Sequence, residues 1–172
     1  DGCEVTIDNM VEHLNDIAGI RIICSFMSDI YPIADMIARQ ADITVLHVKD
    51  YIKYPKANGY KSYHMVVTIP VYLSEGKRDT KVEIQIRTIA MDFWASLEHK
   101  IAYKFEGKAP DYLERELKSC ADMVDMLDMK MFSLNQAIMA VEEEERRREE
   151  EKRREREKAE RKLEELAGNG PT

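Results

Sequence analysis

Apolar residues recur along this chain with two different periods, and the switches between them outline the architecture. Lys81–Thr88, KVEIQIRT, alternates strictly, with Val82, Ile84 and Ile86 on one side and Glu83, Gln85 and Arg87 on the other. That is the period-2 signature of a strand with one packed face and one polar face. Asp16–Cys24, DIAGIRIIC, is a largely apolar, isoleucine-rich run. It predicts a strand buried on both faces, as in the centre of an α/β sheet. Ile43–Val48 and Tyr63–Val71 are further strand candidates, and the polar, glycine-containing Ser74–Asp79 suits a hairpin turn. The helical period appears in Ser28–Arg39, where Ile30, Ile33, Ala34 and Ile37 share a stripe, and in Thr88–Lys104, where Ala90, Trp94, Leu97 and Ile101 are spaced for burial. A helix or turn is expected near Ile7–Leu14, opening on Thr6 or Asp8.

From Asp111 the pattern becomes a long amphipathic helix. Leu113, Leu117, Cys120, Val124, Leu127, Met131, Leu134 and Ile138 recur at helical steps, and a methionine-rich stripe of this kind packs on a body or a partner helix more often than on a cofactor. Glu142–Glu165 is different again. It holds twelve glutamates and ten basic residues, with Glu142–Arg146, Glu143–Arg147, Glu144–Arg148, Glu149–Arg153, Glu150–Arg154 and Glu157–Arg161 in the favourable i,i+4 order. It has no apolar seam for a coiled coil, so it reads as a solvated helix, fraying at Gly168-Asn-Gly-Pro171. Its interleaved glutamates argue against RNA binding through the arginines.

Composition narrows the class. The chain has 172 residues, 44% apolar content and a net charge of −7, enough for one domain with a real core plus an extension. No uninterrupted apolar run reaches the length of about 18 residues that a membrane span needs. The N-terminus DGCEVTIDNM lacks the basic start and apolar core of a signal peptide. It also lacks an initiator Met, so the chain is expected to begin inside a longer product. Cys3, Cys24 and Cys120 are odd in number and lack metal-ligand spacing, which suits reduced thiols in a cytoplasm.

Against that acidic background Lys49–His64, KDYIKYPKANGYKSYH, is a basic island. It carries four lysines and four tyrosines around one Pro-Lys-Ala-Asn-Gly-Tyr turn. A guest with negative charge and a flat ring fits it, and a nucleotide has both. Asp16, at the entrance to one strand, and Glu83, on the polar face of another, would make sense beside those lysines if Mg²⁺ and phosphates lay between them. Each carboxylate alone is weak evidence. Asp16 has a turn or cap reading, and alternation alone makes a solvated surface the simpler account of the Glu83 face.

Together, DIAGIRIIC, the DYI–PK–NGYKSYH loop, and VEIQIRT followed by a helix with W–LEHK–YK resemble the synthetase domain of the RelA/SpoT family. The spacing looks most like the small alarmone synthetases, stand-alone GTP pyrophosphokinases, and the resemblance covers Val5–Lys104. It implies an α/β (α+β) fold, a mixed sheet flanked by helices and similar to nucleotidyltransferases, followed by a long C-terminal helix. The core would span residues 1–108, the amphipathic helix 109–141, the charged helix 142–167 and a disordered tail 168–172. The implied activity moves the β,γ-diphosphate of ATP to the 3′-hydroxyl of GDP or GTP. Carried over residue by residue, Asp16 would bind Mg²⁺. Glu83 would share the metal and take the 3′-hydroxyl proton. Tyr60 would stack on guanine in a turn shaped by Asn58 and Gly59. Lys53, Lys56, Lys61 and His64 would contact acceptor phosphates, Gln85 and Arg87 would line the cleft, and Arg21 resembles an arginine that packs on adenine. Tyr60 and His64 also have readings as packed structural residues. Trp94 reads as core, and Glu98 and His99 are left open.

The family also carries an upstream Arg-x-Lys-type motif that cradles ATP phosphates, whereas Asp1–Asn15 contains no Lys or Arg. The expectation is that this chain alone makes little or no (p)ppGpp and a longer parent does. Small members of the family associate through helices, so Asp111–Ile138 is expected to carry homo-oligomer contacts, a tetramer among the options. Two other classes stay open: a non-catalytic guanine-nucleotide- or RNA-binding relative, and an interaction protein acting through the charged helix. A family hydrolase would need a separate His-Asp domain, whose motif is not visible in this sequence.

Overall fold

A computed structural model describes residues 18–74, 76–106 and 109–168, with side chains described as far as Lys162. The expected helix near Ile7–Leu14, Cys3 and Asp16 lie outside the described residues. The described part contains β1 (Gly19–Cys24), α1 (Met27–Ala38), β2 (Thr44–Asp50), β3 (Tyr63–Leu73), β4 (Gly76–Thr88), α2 (Ile89–Lys104) and α3 (Asp111–Gly168). The strands form one sheet in the order β1-β4-β3-β2. β4 pairs parallel with β1 and antiparallel with β3, and β2 pairs antiparallel with β3, so the sheet is mixed.

The alternation in β4 does what its period dictates. Val82, Ile84 and Ile86 are buried, and their cross-strand partners Val67, Met65 and Tyr63 lie on the same face. Ile30 and Ala34 of α1 close over that face. Asp29 fixes the start of α1 by accepting a hydrogen bond from the Phe26 N–H at 3.1 Å.

Three expectations need correction. β1 is an edge strand among the described residues, not a central one, and Ile20 and Ile23 are about half exposed. An apolar run reports hydrophobicity without reporting how many neighbours cover it. The hairpin is also tighter than Ser74–Asp79. The ladder runs to Leu73↔Gly76, and Lys77, Arg78 and Asp79 are exposed strand residues rather than turn residues. Gly76, at φ 121°, has the backbone freedom that this close requires. In α2 the buried residues are Met91, Trp94 and Ala95, while Leu97 is exposed.

The chain divides into two units, Asp1–Phe132 and Ser133–Thr172. In the first, α3 packs through Leu117, Ala121 and Val124 against Trp94, Ala95 and Tyr60. The Trp94 indole N–H donates to the Leu117 carbonyl at 2.9 Å. This face departs from the expected stripe, since Cys120 and Leu127 are exposed. In the second unit, Arg148 pairs with Glu144 at 3.1 Å in the expected i,i+4 order, whereas Arg146 and Arg147 reach Glu143 and Glu144 at i,i+3. Among the described residues no helix is long and apolar enough to cross a membrane.

Candidate active site

The polar face of the sheet carries a row of cross-strand neighbours, one per strand. Arg21 of β1 lies beside Gln85 of β4, Gln85 beside His64 of β3, and His64 beside Lys49 of β2. Glu83 and Arg87 flank Gln85 on the same side of β4, as its period requires. The solvated-surface reading of this face fails, because the Arg87 side chain is only 5% exposed.

These side chains close a ring of hydrogen bonds. The Arg87 guanidinium donates through one terminal nitrogen to Tyr60 Oη at 2.5 Å and to Gln85 Oε1 at 2.6 Å. Gln85 Nε2 donates to Glu83 Oε2 at 2.8 Å. Glu83 Oε1 lies 3.0 Å from His64 Nδ1, and His64 Nε2 lies 2.8 Å from Tyr60 Oη. One proton arrangement satisfies every member: His64 neutral with its proton on Nδ1, donating to Glu83 and accepting from the Tyr60 hydroxyl. The electrostatics agree. Burial lowers the His64 pKa, with help from the Arg87 and Lys56 charges, and this outweighs the pull of Glu83. For Glu83, burial pushes upward, but hydrogen bonds from Gln85 and His64 and the Lys49 charge bring it below the ordinary range. Glu83 is thus a carboxylate at neutral pH, with each oxygen holding one partner and one free lone-pair direction.

Arg87 also donates from Nε to the buried Ser62 hydroxyl and from its other terminal nitrogen to Asp92, both at 3.2 Å. Asp92 in turn meets Arg21 at 3.2 Å. The loop before β3 is built by its own polar atoms. Asn58 Oδ1 accepts from the Tyr60 N–H at 3.1 Å, and the Gly59 N–H donates to the Lys56 carbonyl at 2.9 Å. Gly59 sits at φ 89°, and a Cβ there would stand 2.5 Å from Ala121 Cβ. No larger residue keeps both this turn and the contact with α3.

The residues surround a cavity of about 630 Å³. Of the residues expected from sequence, Arg21, Lys56, Asn58, Tyr60, His64, Gln85 and Arg87 line it. Glu83 and Arg21 share a smaller, adjoining hollow with Gln85. The Lys56 ammonium lies over the Tyr60 ring, 4.8 Å from its centroid. Lys53 and Lys61 are not brought to the cavity. Lys53 lies over the Tyr54 ring, and Lys61 pairs with Asp125 of α3. Asp16 lies outside the described residues. Sequence reasoning missed Asp92, Ser62 and Lys100, the last of which lines the cavity. It also missed Asp125 and Asp128, two acids on the packed side of α3. The Thr88 hydroxyl, which caps α2 by accepting from the Met91 N–H, donates to buried Asp128 at 2.6 Å. Burial raises the Asp128 pKa, with a further push from Asp125, despite the Thr88 bond and the Lys61 charge.

Comparison with known proteins gives the setting for this geometry. The chain is 50% identical over 137 residues to the GTP pyrophosphokinase YwaC of Bacillus subtilis, covering 80% of this chain and 65% of that protein. It therefore spans slightly less than two thirds of that relative's length. The crystal structure of small alarmone synthetase 2 from B. subtilis matches with a TM-score of 0.71 at 45% identity, over 77% of each chain. That of small alarmone synthetase 1 from the same organism, bound to its product pppGpp, matches with a TM-score of 0.72 at 38% identity, over 76% of this chain and 67% of the other. The model of a region found in RelA/SpoT proteins matches residues 4–108, more than half of the sequence, and the chain therefore belongs to the RelA/SpoT family.

Proposed function

We propose that the protein carrying this sequence is a GTP pyrophosphokinase that moves the β,γ-diphosphate of ATP to the ribose 3′-hydroxyl of GDP or GTP. The observation that carries this reading is the closed ring of Glu83, His64, Tyr60, Arg87 and Gln85 across one cavity and the hollow adjoining it, in a chain 50% identical over 137 residues to a GTP pyrophosphokinase. In the reaction the 3′-oxygen attacks the β-phosphorus of ATP, the bond to the α-phosphate oxygen breaks, and AMP leaves. Glu83 orients the hydroxyl and receives its proton. A carboxylate held below its ordinary pKa is a modest base, which suits a loose transition state in which positioning and charge neutralisation dominate. Tyr60, pinned at its hydroxyl by Arg87 and His64, offers its ring to the guanine base. Lys56, the loop lysine that lines the cavity, and Lys100 of α2 take acceptor phosphates.

Mg²⁺ belongs to this reading because hard oxygen donors and nucleotide phosphates suit it. Glu83 supplies one such donor, and Asp16 is the other candidate. When bound, the ion would neutralise phosphate charge.

Incubating the protein with labelled ATP, GDP and Mg²⁺ tests the reading, with Glu83→Gln as control. A guanosine product bearing a 3′-diphosphate, reduced about a hundredfold or more in the variant, supports it. Nucleotide binding without turnover would favour a non-catalytic relative instead. Self-association through α3 is part of the same proposal. Leu134, Ile138 and Val141 are exposed at steps of four and three, a spacing that a partner helix covers. Light scattering showing a monomer at high concentration would remove it.

A further inference from the structure

A ring to stack on attracts any base, and phosphate-binding lysines attract any nucleotide. Neither separates guanine from adenine, so a donor–acceptor pattern at the edge of the base must do so. Guanine presents two donors on one edge, N1–H and the 2-amino group, whereas adenine presents an acceptor at N1. The complement of the guanine edge is a carboxylate, which accepts both donors at once.

We propose that Glu98 of α2 is this specificity-determining residue, reading N1–H and the 2-amino group of an acceptor base stacked on Tyr60. The inference rests on the acceptor reading above. Glu98 lines the same cavity as Tyr60, one helical turn after Trp94 and Ala95, which pack against Tyr60. It is tied to the tyrosine through a single residue. The Tyr60 N–H donates to Asn58 Oδ1, and Asn58 Nδ2 donates to Glu98 Oε1 at 3.2 Å. Both functional atoms of Asn58 are thereby engaged, one by the loop backbone and one by Glu98. Among the described residues no hydrogen bond or ion pair from the protein occupies Glu98 Oε2. Of these three residues, all of which line the cavity, Glu98 is the one that offers a carboxylate, with Oε2 left to accept from a guest. Asn58 then acts as a positioning residue, setting the carboxylate against the ring by way of the turn that also places the ring.

The test compares GDP with inosine diphosphate, which keeps N1–H and lacks the 2-amino group, and with ADP. The unmodified protein should bind GDP about tenfold or more tightly than inosine diphosphate, because a site built to accept a donor loses that bond with the analogue. Glu98→Gln keeps the shape and can still accept from Asn58. Its new N–H groups oppose the donors of guanine, so the GDP preference should fall towards unity while binding of an ATP analogue is unchanged. A wild-type preference near unity overturns the proposal without reference to any variant. So does a variant that weakens GDP and inosine diphosphate equally, which would make Glu98 only a prop for Asn58. Failure of the unmodified protein to bind any guanine nucleotide would sink the acceptor reading itself, whereas discrimination that survives Glu98→Gln sinks this inference alone.

Discussion

The polar face of β4 and the stretch Ser133–Lys162 are both rich in charge, and they use it in opposite ways. On β4, Arg87 is nearly inaccessible and spends its guanidinium on Ser62, Asp92, Tyr60 and Gln85. Around Glu144 the ion pairs form between exposed side chains one helical turn apart. Removing Arg87 from the first set leaves buried Ser62 and half-buried Tyr60 and Gln85 without a donor at once. Removing one member of the second returns its partner to solvent. Charge count is therefore uninformative here, and the number of partners each charge shares, away from water, separates the site from the solvated helix.

The sharpest way to break that contrast is Arg87→Ala. Asp92 keeps Arg21, but the buried Ser62 hydroxyl, Tyr60 and Gln85 lose their common donor at once, and with each unsatisfied buried group costing about 1–3 kcal/mol the total loss should reach about 3 kcal/mol or more. Urea denaturation should show the drop, and Arg87→Lys should recover only part of it, because an ammonium cannot serve this fan of acceptors. A cost under about 1 kcal/mol would mean that the network is ornamental.

The next effect lies where α3 meets the start of α2. Thr88→Val removes both the cap on Met91 and the donor to Asp128. A lost cap costs about 1 kcal/mol, and an unsatisfied buried acceptor about 1–3 more. Thr88→Ser retains the hydroxyl and should stay close to wild type. If the two variants denature alike, the hydroxyl is not what holds this junction.

How much of this was legible depended on whether period or partnership carried the information. The stripe Ile30, Ile33, Ala34 and Ile37 and the alternation of Val82, Ile84 and Ile86 were readable, because burial repeats with the backbone. The loop residues Asn58, Gly59 and Tyr60 were readable as a turn. Asp125 and Asp128 were not. A stripe drawn through apolar residues skips a buried acid, and only the fold brings Lys61 and Thr88 to those positions. The same blindness drew Cys120 and Leu127 into a packed face from which they are excluded. Nor could the pattern show that Lys61 pairs with Asp125, 64 residues away.

Asp128 and Glu83 give the comparison a pH signature of opposite sign. Asp128 has its pKa raised above the ordinary 3.8, so the folded chain holds that proton more tightly than the unfolded one. Its contribution to stability is fully present below that value and is lost as pH rises through the raised one. Glu83 is lowered below the ordinary 4.5, so its contribution is present above that value and is lost as pH falls through the lowered one. Melting temperatures between pH 3 and 7 (roughly the carboxylate window) should therefore decline less on the alkaline side in Asp128→Asn and less on the acid side in Glu83→Gln. Parallel profiles for both variants would contradict these environments.

The smallest effect belongs to the charged helix, and its smallness is the point. Arg148→Ala removes the i,i+4 pair with Glu144, worth a few tenths of a kcal/mol between exposed groups. Alanine's higher helix propensity returns about as much. The net change in thermal denaturation should stay under about 0.5 kcal/mol, and what remains should fade near 1 M salt, where screening extends only about 3 Å. A loss of several degrees that persists in high salt would mean that Arg148 is buried against something, whether a second copy or another partner. This stretch would then obey the rules of β4 rather than those of a solvated helix.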